Sequence, residues 1–79
     1  MEQVEIDNRF MYHAPKEGQP EKYTAIRNKA KELAELINMA CPESREKSLS
    51  VTALEESVMW ANASIARHEG KYVRPLNLI

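Results

Sequence analysis

The run Arg9-Phe10-Met11-Tyr12-His13 places a guanidinium, two aromatic rings and an imidazole within five residues. A tyrosine ring can stack on a nucleobase while a neighbouring cation meets phosphate, so the cluster suits a nucleotide contact. A plainer account uses the same residues as a short amphipathic helix that packs Phe10 and Tyr12 onto the rest of the fold. Arg27, between Ile26 and Ala30, can offer a planar fork to a phosphate along an intersubunit groove. Equally, it can be a flank charge that pairs with a glutamate. Arg67 stands near the end of a helical stretch, where its charge also complements the helix C-terminus. Asn62 is of a type that reads base edges, although a helix flank accommodates asparagine without such a purpose.

Other chemistry is poorly provided for. The chain has no Gly-rich phosphate loop, no Cys or His pair at zinc spacing and no serine framed as a nucleophile elbow. His13 and His68 can in principle meet across subunits as ligands or acid–base groups, but packing or surface histidines are the commoner case. Cys41, next to Pro42 and without a partner for a catalytic dyad, reads as a small half-buried residue. No enzymatic activity, metal or cofactor is expected. A metal-dependent nuclease needs a carboxylate or histidine cluster that is missing here.

Composition narrows the class further. A chain of 79 residues allows one small domain, and 43% hydrophobic with 29% charged residues marks a soluble globular protein rather than a disordered or membrane-spanning one. Eleven basic against twelve acidic residues leave a net charge of -1, which argues against a general grip on duplex nucleic acid or on an anionic membrane. Any bound phosphate must therefore sit in a local pocket. A small helical DNA-binding regulator is disfavoured on the same ground. The opening MEQVEIDNRF has neither the basic nor the apolar block of a secretion signal, so the cytoplasm is the default expectation.

The elements that must position these residues follow from periodicity. Ile6, Phe10 and His13 recur at spacings of four and three, which predicts a short N-terminal helix over 1–13. Residues 14–20 read as a linker, with Pro20 suited to the first turn of the next helix. Tyr23, Ile26, Ala30, Leu33, Ile37 and Ala40 form a heptad-type seam over 21–40. Pro42 fits the first position of a second long helix over 43–68, with its own seam through Val51, Leu54, Val58, Ala61 and Ile65 and a stop before Gly70. The predicted fold is all-α, a short N-terminal helix plus a long antiparallel helical hairpin, with a tail over 69–79 that packs on a hairpin.

Such a hairpin is a thin rod, and below about 80 residues it rarely buries enough to stand alone. A homo-oligomer is expected. The small-residue row Ser50, Ala53, Ser57, Ala61 and Ser64, beside Met59 and Trp60, looks like surface for another subunit. Counted from the turn, Arg27 and Arg67 stand on the order of 16 Å apart along the rod. One protomer is therefore not expected to close both around one small ligand.

Longer motifs carry a resemblance. Tyr12-His13-x-Pro15, Gly18-Gln19-Pro20-Glu21-Lys22-Tyr23 and Ile26-Arg27-x-Lys29-Ala30-Lys31-Glu32-Leu33-Ala34 form its first half. Cys41-Pro42-Glu43-Ser44-Arg45-Glu46-Lys47-Ser48-Leu49 and Leu54-Glu55-Glu56-x-Val58-Met59-Trp60-Ala61-Asn62-Ala63-x-Ile65-Ala66-Arg67 form the second. Together they resemble the helical hairpin domain of phage anti-CBASS and anti-Thoeris nucleotide sponges, over residues 9–68.

The resemblance implies a protein that holds cyclic oligonucleotide messengers without cleaving them, in the cytoplasm of the infected host bacterium. It implies an interlocked homo-oligomer, often a hexamer, with cyclic dinucleotide pockets between protomers and a distinct class of site for cyclic trinucleotides. Tyr12 takes the place of the family's base-stacking tyrosine, and Arg27 that of a basic phosphate contact which is commonly lysine. Arg67 matches the family's helix-end arginine at the trinucleotide site. Arg9 stands where a small hydroxyl residue can occur, and a long cation there either blocks that site or adds a phosphate contact. Capture of the cyclic ADP-ribose isomers of Thoeris defence is the alternative within the family. A structural or adaptor oligomer that binds a protein through Met59, Trp60 and the tail is the alternative outside it.

Overall fold

The described residues form three helices, α1 (Gln3–Phe10), α2 (Gln19–Ala40) and α3 (Arg45–His68). They come from a computed structural model, which describes residues 1–70 and 76. The architecture is all-α, a short N-terminal helix followed by a helical hairpin, with no strand among the described residues. The expected packing of the tail falls largely outside them.

The first helix is shorter than its periodicity suggests. It ends at Phe10, and Met11 is already extended (φ -100°, ψ 157°). His13 folds back so that its Nε2 donates to the Asn8 carbonyl at 2.7 Å, satisfying one of the oxygens that the last turn leaves without a partner. Helix α2 starts two residues earlier than predicted, at Gln19. Its N-cap, Gly18, has φ 87°, a left-handed conformation that side chains disfavour and glycine adopts freely. Pro20 lies in the first turn, as its fixed φ suits.

The hairpin turn also corrects the sequence reading. Helix α3 begins at Arg45, so Pro42 precedes the helix instead of opening it. Ser44 is the N-cap, and its Oγ accepts from the Lys47 amide at 3.1 Å, a polar cap that outweighs the preference of proline for the first position. Lys47 locks the turn from inside. Its Nζ donates to the Asn38 carbonyl at 2.9 Å and pairs with the Glu43 carboxylate. Cys41 is exposed rather than half-buried, and it contributes its amide, which donates to Ile37 O at 3.0 Å.

The far end of α3 is held by a polar clasp. Helix α3 ends at His68, before Gly70 as the sequence predicts, with Glu69 as an extended C-cap, but Gly70 does not adopt the left-handed conformation of a glycine stop. The carbonyls of the last turn instead collect donors from distant residues: Gln19 Nε2 reaches Ile65 O at 3.3 Å, and Asn8 Nδ2 reaches Arg67 O at 3.2 Å. Lys16 Nζ donates to the carbonyls of Glu69 and Gly70 at 3.0 and 2.7 Å. Lys22 forms an ion pair with the Glu69 carboxylate, which also accepts from Gln19 Nε2 at 3.0 Å. Gln19, only 2% exposed, completes the set by accepting from the Lys16 amide at 2.8 Å. Helix α1, the linker and the start of α2 are thus fastened to one end of α3.

Apolar packing contributes much less. Among the described residues no apolar side chain is buried. Tyr23, Ile26, Ala30 and Ile37 of α2 face Leu54, Val58, Ala61 and Ile65 of α3 along the predicted seam, but each is only half-buried. Leu33 is exposed and Ala34 takes the inward place, as a helix near 3.6 residues per turn drifts out of a strict heptad register. The radius of gyration, 15.6 Å, exceeds the roughly 12 Å of a compact domain of this length. Among the described residues no helix is long and apolar enough to cross a membrane.

Candidate functional site

The clasp sets α1 and the linker across the open end of the hairpin, and an open groove of about 520 Å³ lies between them. Tyr23 and Arg27 enter it from α2, four residues apart and so on one helix face. Asn62, Ala63, Ala66 and Arg67 enter from α3 with the same spacing, and the two alanines leave room above the helix backbone. Arg9 comes from α1, and Met11, Tyr12 and His13 come from the extended segment behind it. The early end of α1 is what makes this possible, because the extended backbone after Phe10 carries Tyr12 over the hairpin.

All four candidate residues, Tyr12, Arg27, Arg9 and Arg67, line this single groove. The expectation that one protomer cannot bring Arg27 and Arg67 to one ligand is therefore corrected. That estimate compared positions along the rod and neglected both the reach of two long side chains and the size of the hollow. Its volume lies in the range of roughly 300–1,000 Å³ typical of small-molecule sites. Packing of Phe10 and Tyr12 onto the hairpin is not observed either: they are 83% and 85% exposed.

The electrostatics are one-sided. Three arginines line the groove and no aspartate or glutamate does, in a chain whose overall charge is -1. Arg9 is neutralised locally by Glu5, one turn back on α1, at 2.6 Å. The guanidinium groups of Arg27 and Arg67 have no carboxylate partner among the described residues. Two unpaired planar cations, one on each side of a hollow floored by alanine, suit the bidentate binding of phosphate oxygens. Tyr12, whose ring is free on the rim, suits stacking on a base.

Sequence reasoning assigned Tyr23 to the hairpin seam and His13 to ordinary packing, and it passed over Met11, Ala63 and Ala66. The i, i+4 pair Tyr23 and Arg27, an aromatic and a cation on one face, was the available signal, masked by the apolar periodicity on which Tyr23 also falls. His13 does have the structural role expected of it, through its bond to Asn8, while also lining the groove. No group of three or more His, Cys, Asp or Glu side chains that could hold a metal occurs among the described residues.

Two neighbouring hollows share residues with the groove. One of about 350 Å³ runs along the hairpin between Ala30, Ala34, Val51, Leu54 and Val58, and Arg27 forms its end. Another of about 200 Å³ is formed by Trp60, Ser64 and His68 and shares Ala63 and Arg67 with the groove.

Comparison with curated proteins and with solved structures gives no match. A family model, that of the Acb2/Tad1 hairpin domain, matches residues 2–66, which takes in α1, α2, the turn and most of α3 and leaves Arg67 just beyond its end. With four fifths of its length under that model, and with the helical hairpin that the model's name describes, the chain belongs to the Acb2/Tad1 hairpin-domain family of anti-CBASS and anti-Thoeris sponges.

Proposed function

We propose that this protein sequesters cyclic dinucleotides, with cyclic trinucleotides as a second ligand class, and releases them unchanged, so that CBASS-type antiphage signalling in the host bacterial cytoplasm is starved of its messenger. The observation that carries this reading is the acid-free groove in which Tyr12 and the unpaired Arg27 and Arg67 lie together. In it Tyr12 stacks on a base and the two guanidinium groups hold the phosphates. Arg9 joins them by exchanging Glu5 for a phosphate oxygen, an exchange between charge-assisted hydrogen bonds of similar kind. Cyclic trinucleotides fit less directly, and the hollow beyond Arg67 beside Trp60 is what favours them as a second class.

A homo-oligomer, with the hexamer as our specific proposal, is supported by the lack of buried apolar side chains among the described residues. Leu33, Leu36, Met39, Leu49, Met59 and Trp60 are large, apolar and exposed on the two long helices, a surface that water disfavours and other copies can cover. Trp60, 66% exposed, also supports the competing reading of an adaptor for another protein. The two are separated by a pull-down partner that survives Tyr12→Ala and Arg27→Ala.

The decisive experiment incubates the purified protein with cyclic di-AMP, cyclic di-GMP, a cyclic triadenylate and a cyclic ADP-ribose isomer, then denatures it and analyses the supernatant. Recovery of intact cyclic dinucleotide is expected. Linear or hydrolysed product would make the protein an enzyme, and retention of the cyclic ADP-ribose isomer alone would move it to the Thoeris branch.

A further inference from the structure

The fold leaves one polar side chain in the groove unexplained. Asn62 lies in the middle of α3, half-buried, and its buried Oδ1 accepts no hydrogen bond. It caps no helix end, and asparagine is a poor choice for a helix interior. A buried acceptor without a donor costs stability, and exchanging the two ends of the amide only replaces an orphaned oxygen by an orphaned nitrogen. The protein therefore gains nothing evident from this residue in the free state. Tyrosine stacking and arginine–phosphate contacts, the other interactions on offer, accept any base. Among the described residues Asn62 is the one carboxamide in the lining, and it presents a donor and an acceptor side by side.

We propose that Asn62 is a specificity-determining residue that pairs with the donor–acceptor edge of an adenine base, Oδ1 accepting from the exocyclic N6 amine and Nδ2 donating to N7. The inference rests on the reading of the groove as a cyclic dinucleotide site. The torsion that orients a carboxamide is soft, so the amide can turn its oxygen to the groove when a donor arrives. Adenine supplies that donor next to an acceptor, whereas the corresponding edge of guanine carries two acceptors, O6 and N7, and leaves Oδ1 as it was.

The test is calorimetric titration of the full chain and of Asn62→Leu with cyclic di-AMP and with its analogue in which purine replaces adenine and the amine is missing. The unsubstituted protein is expected to bind cyclic di-AMP about tenfold to a hundredfold more tightly than the analogue. Asn62→Leu should bind the two alike and melt no lower than the parent, since leucine favours a helix and removes the orphan; Asn62→Ala, titrated in the same way, gives the same comparison if leucine obstructs the groove. If the unsubstituted protein binds both ligands equally, or if the variants keep the preference, the assignment of Asn62 is overturned while the groove stands. If neither ligand binds the unsubstituted protein, the groove reading falls and this one with it.

Discussion

Asn8 donates from its side-chain amide to the main-chain oxygen of Arg67 at 3.2 Å, so α1 is anchored on the same residue whose guanidinium lines the groove. The bond satisfies a carbonyl at the end of α3 and also sets how far the Arg9-to-His13 segment reaches over the hairpin. Asn8→Ala is expected to weaken cyclic dinucleotide binding by about twofold to tenfold, the loss of one neutral hydrogen bond, while helix content by circular dichroism stays within a few residues of the parent. Calorimetry beside the spectrum checks both halves.

Arg27 is expected to matter more. Arg27→Ala should lower affinity about tenfold to a hundredfold, the range for a hydrogen bond to a charged group, and should flatten the dependence of binding on salt. Arg27→Lys should recover charge but not the planar fork, and so fall between the two. Titrations at two ionic strengths distinguish a phosphate contact from a merely structural arginine, whose loss would leave the salt slope unchanged.

Stacking makes a different demand on Tyr12. Tyr12→Phe should bind nearly as the parent does, and Tyr12→Ala should lose about fivefold to a hundredfold, because a ring, not a hydroxyl, meets the base. The side chain is exposed in the free protein, so neither variant should shift the melting temperature appreciably.

The clasp makes a prediction about stability. The side chains of Lys22 and Glu69 are 10% and 12% exposed, and removing one leaves the other charge buried. Lys22→Met is expected to destabilise the fold by about 1.5–3 kcal/mol, since Glu69 keeps Gln19 among its partners, and Lys22→Met with Glu69→Gln to recover part of that loss. Thermal melts of the two variants at one protein concentration decide it, since the proposed assembly would make the midpoint concentration-dependent.

Leu36→Glu and Met59→Glu place charges on exposed apolar helix faces, and neither residue lines the groove. Sedimentation should give the unsubstituted protein as a multiple of 9.1 kDa and the double variant as smaller species. A solitary, well-folded parent chain would sink the oligomer.

The hairpin was legible because period and punctuation agree: the apolar spacing through Ile26, Ala30 and Ile37 repeats through Leu54, Val58 and Ile65 around a single proline-containing break. Its edges were not, because each depends on a side chain arriving from elsewhere. Ser44 displaced Pro42 from the helix start by capping Lys47, and His13 ended α1 by bonding to Asn8. The arginines of the site were visible as types, but their convergence was not, since spacing along a rod says little about how a linker folds across it. The Gln19–Lys22–Glu69 clasp was invisible for the same reason: its members lie up to 50 residues apart in the chain.

Arg27 forms part of two hollows at once, the one that Tyr12 overhangs and the apolar furrow between the long helices. A guanidinium shared in this way cannot be held from one side without altering what it offers on the other. On the proposed function, with a neighbouring copy in the furrow and a messenger in the groove, the two occupancies would be thermodynamically reciprocal, each changing the equilibrium of the other by the same factor. Dilution should then loosen the protein's hold on its cargo, and cargo should resist dilution.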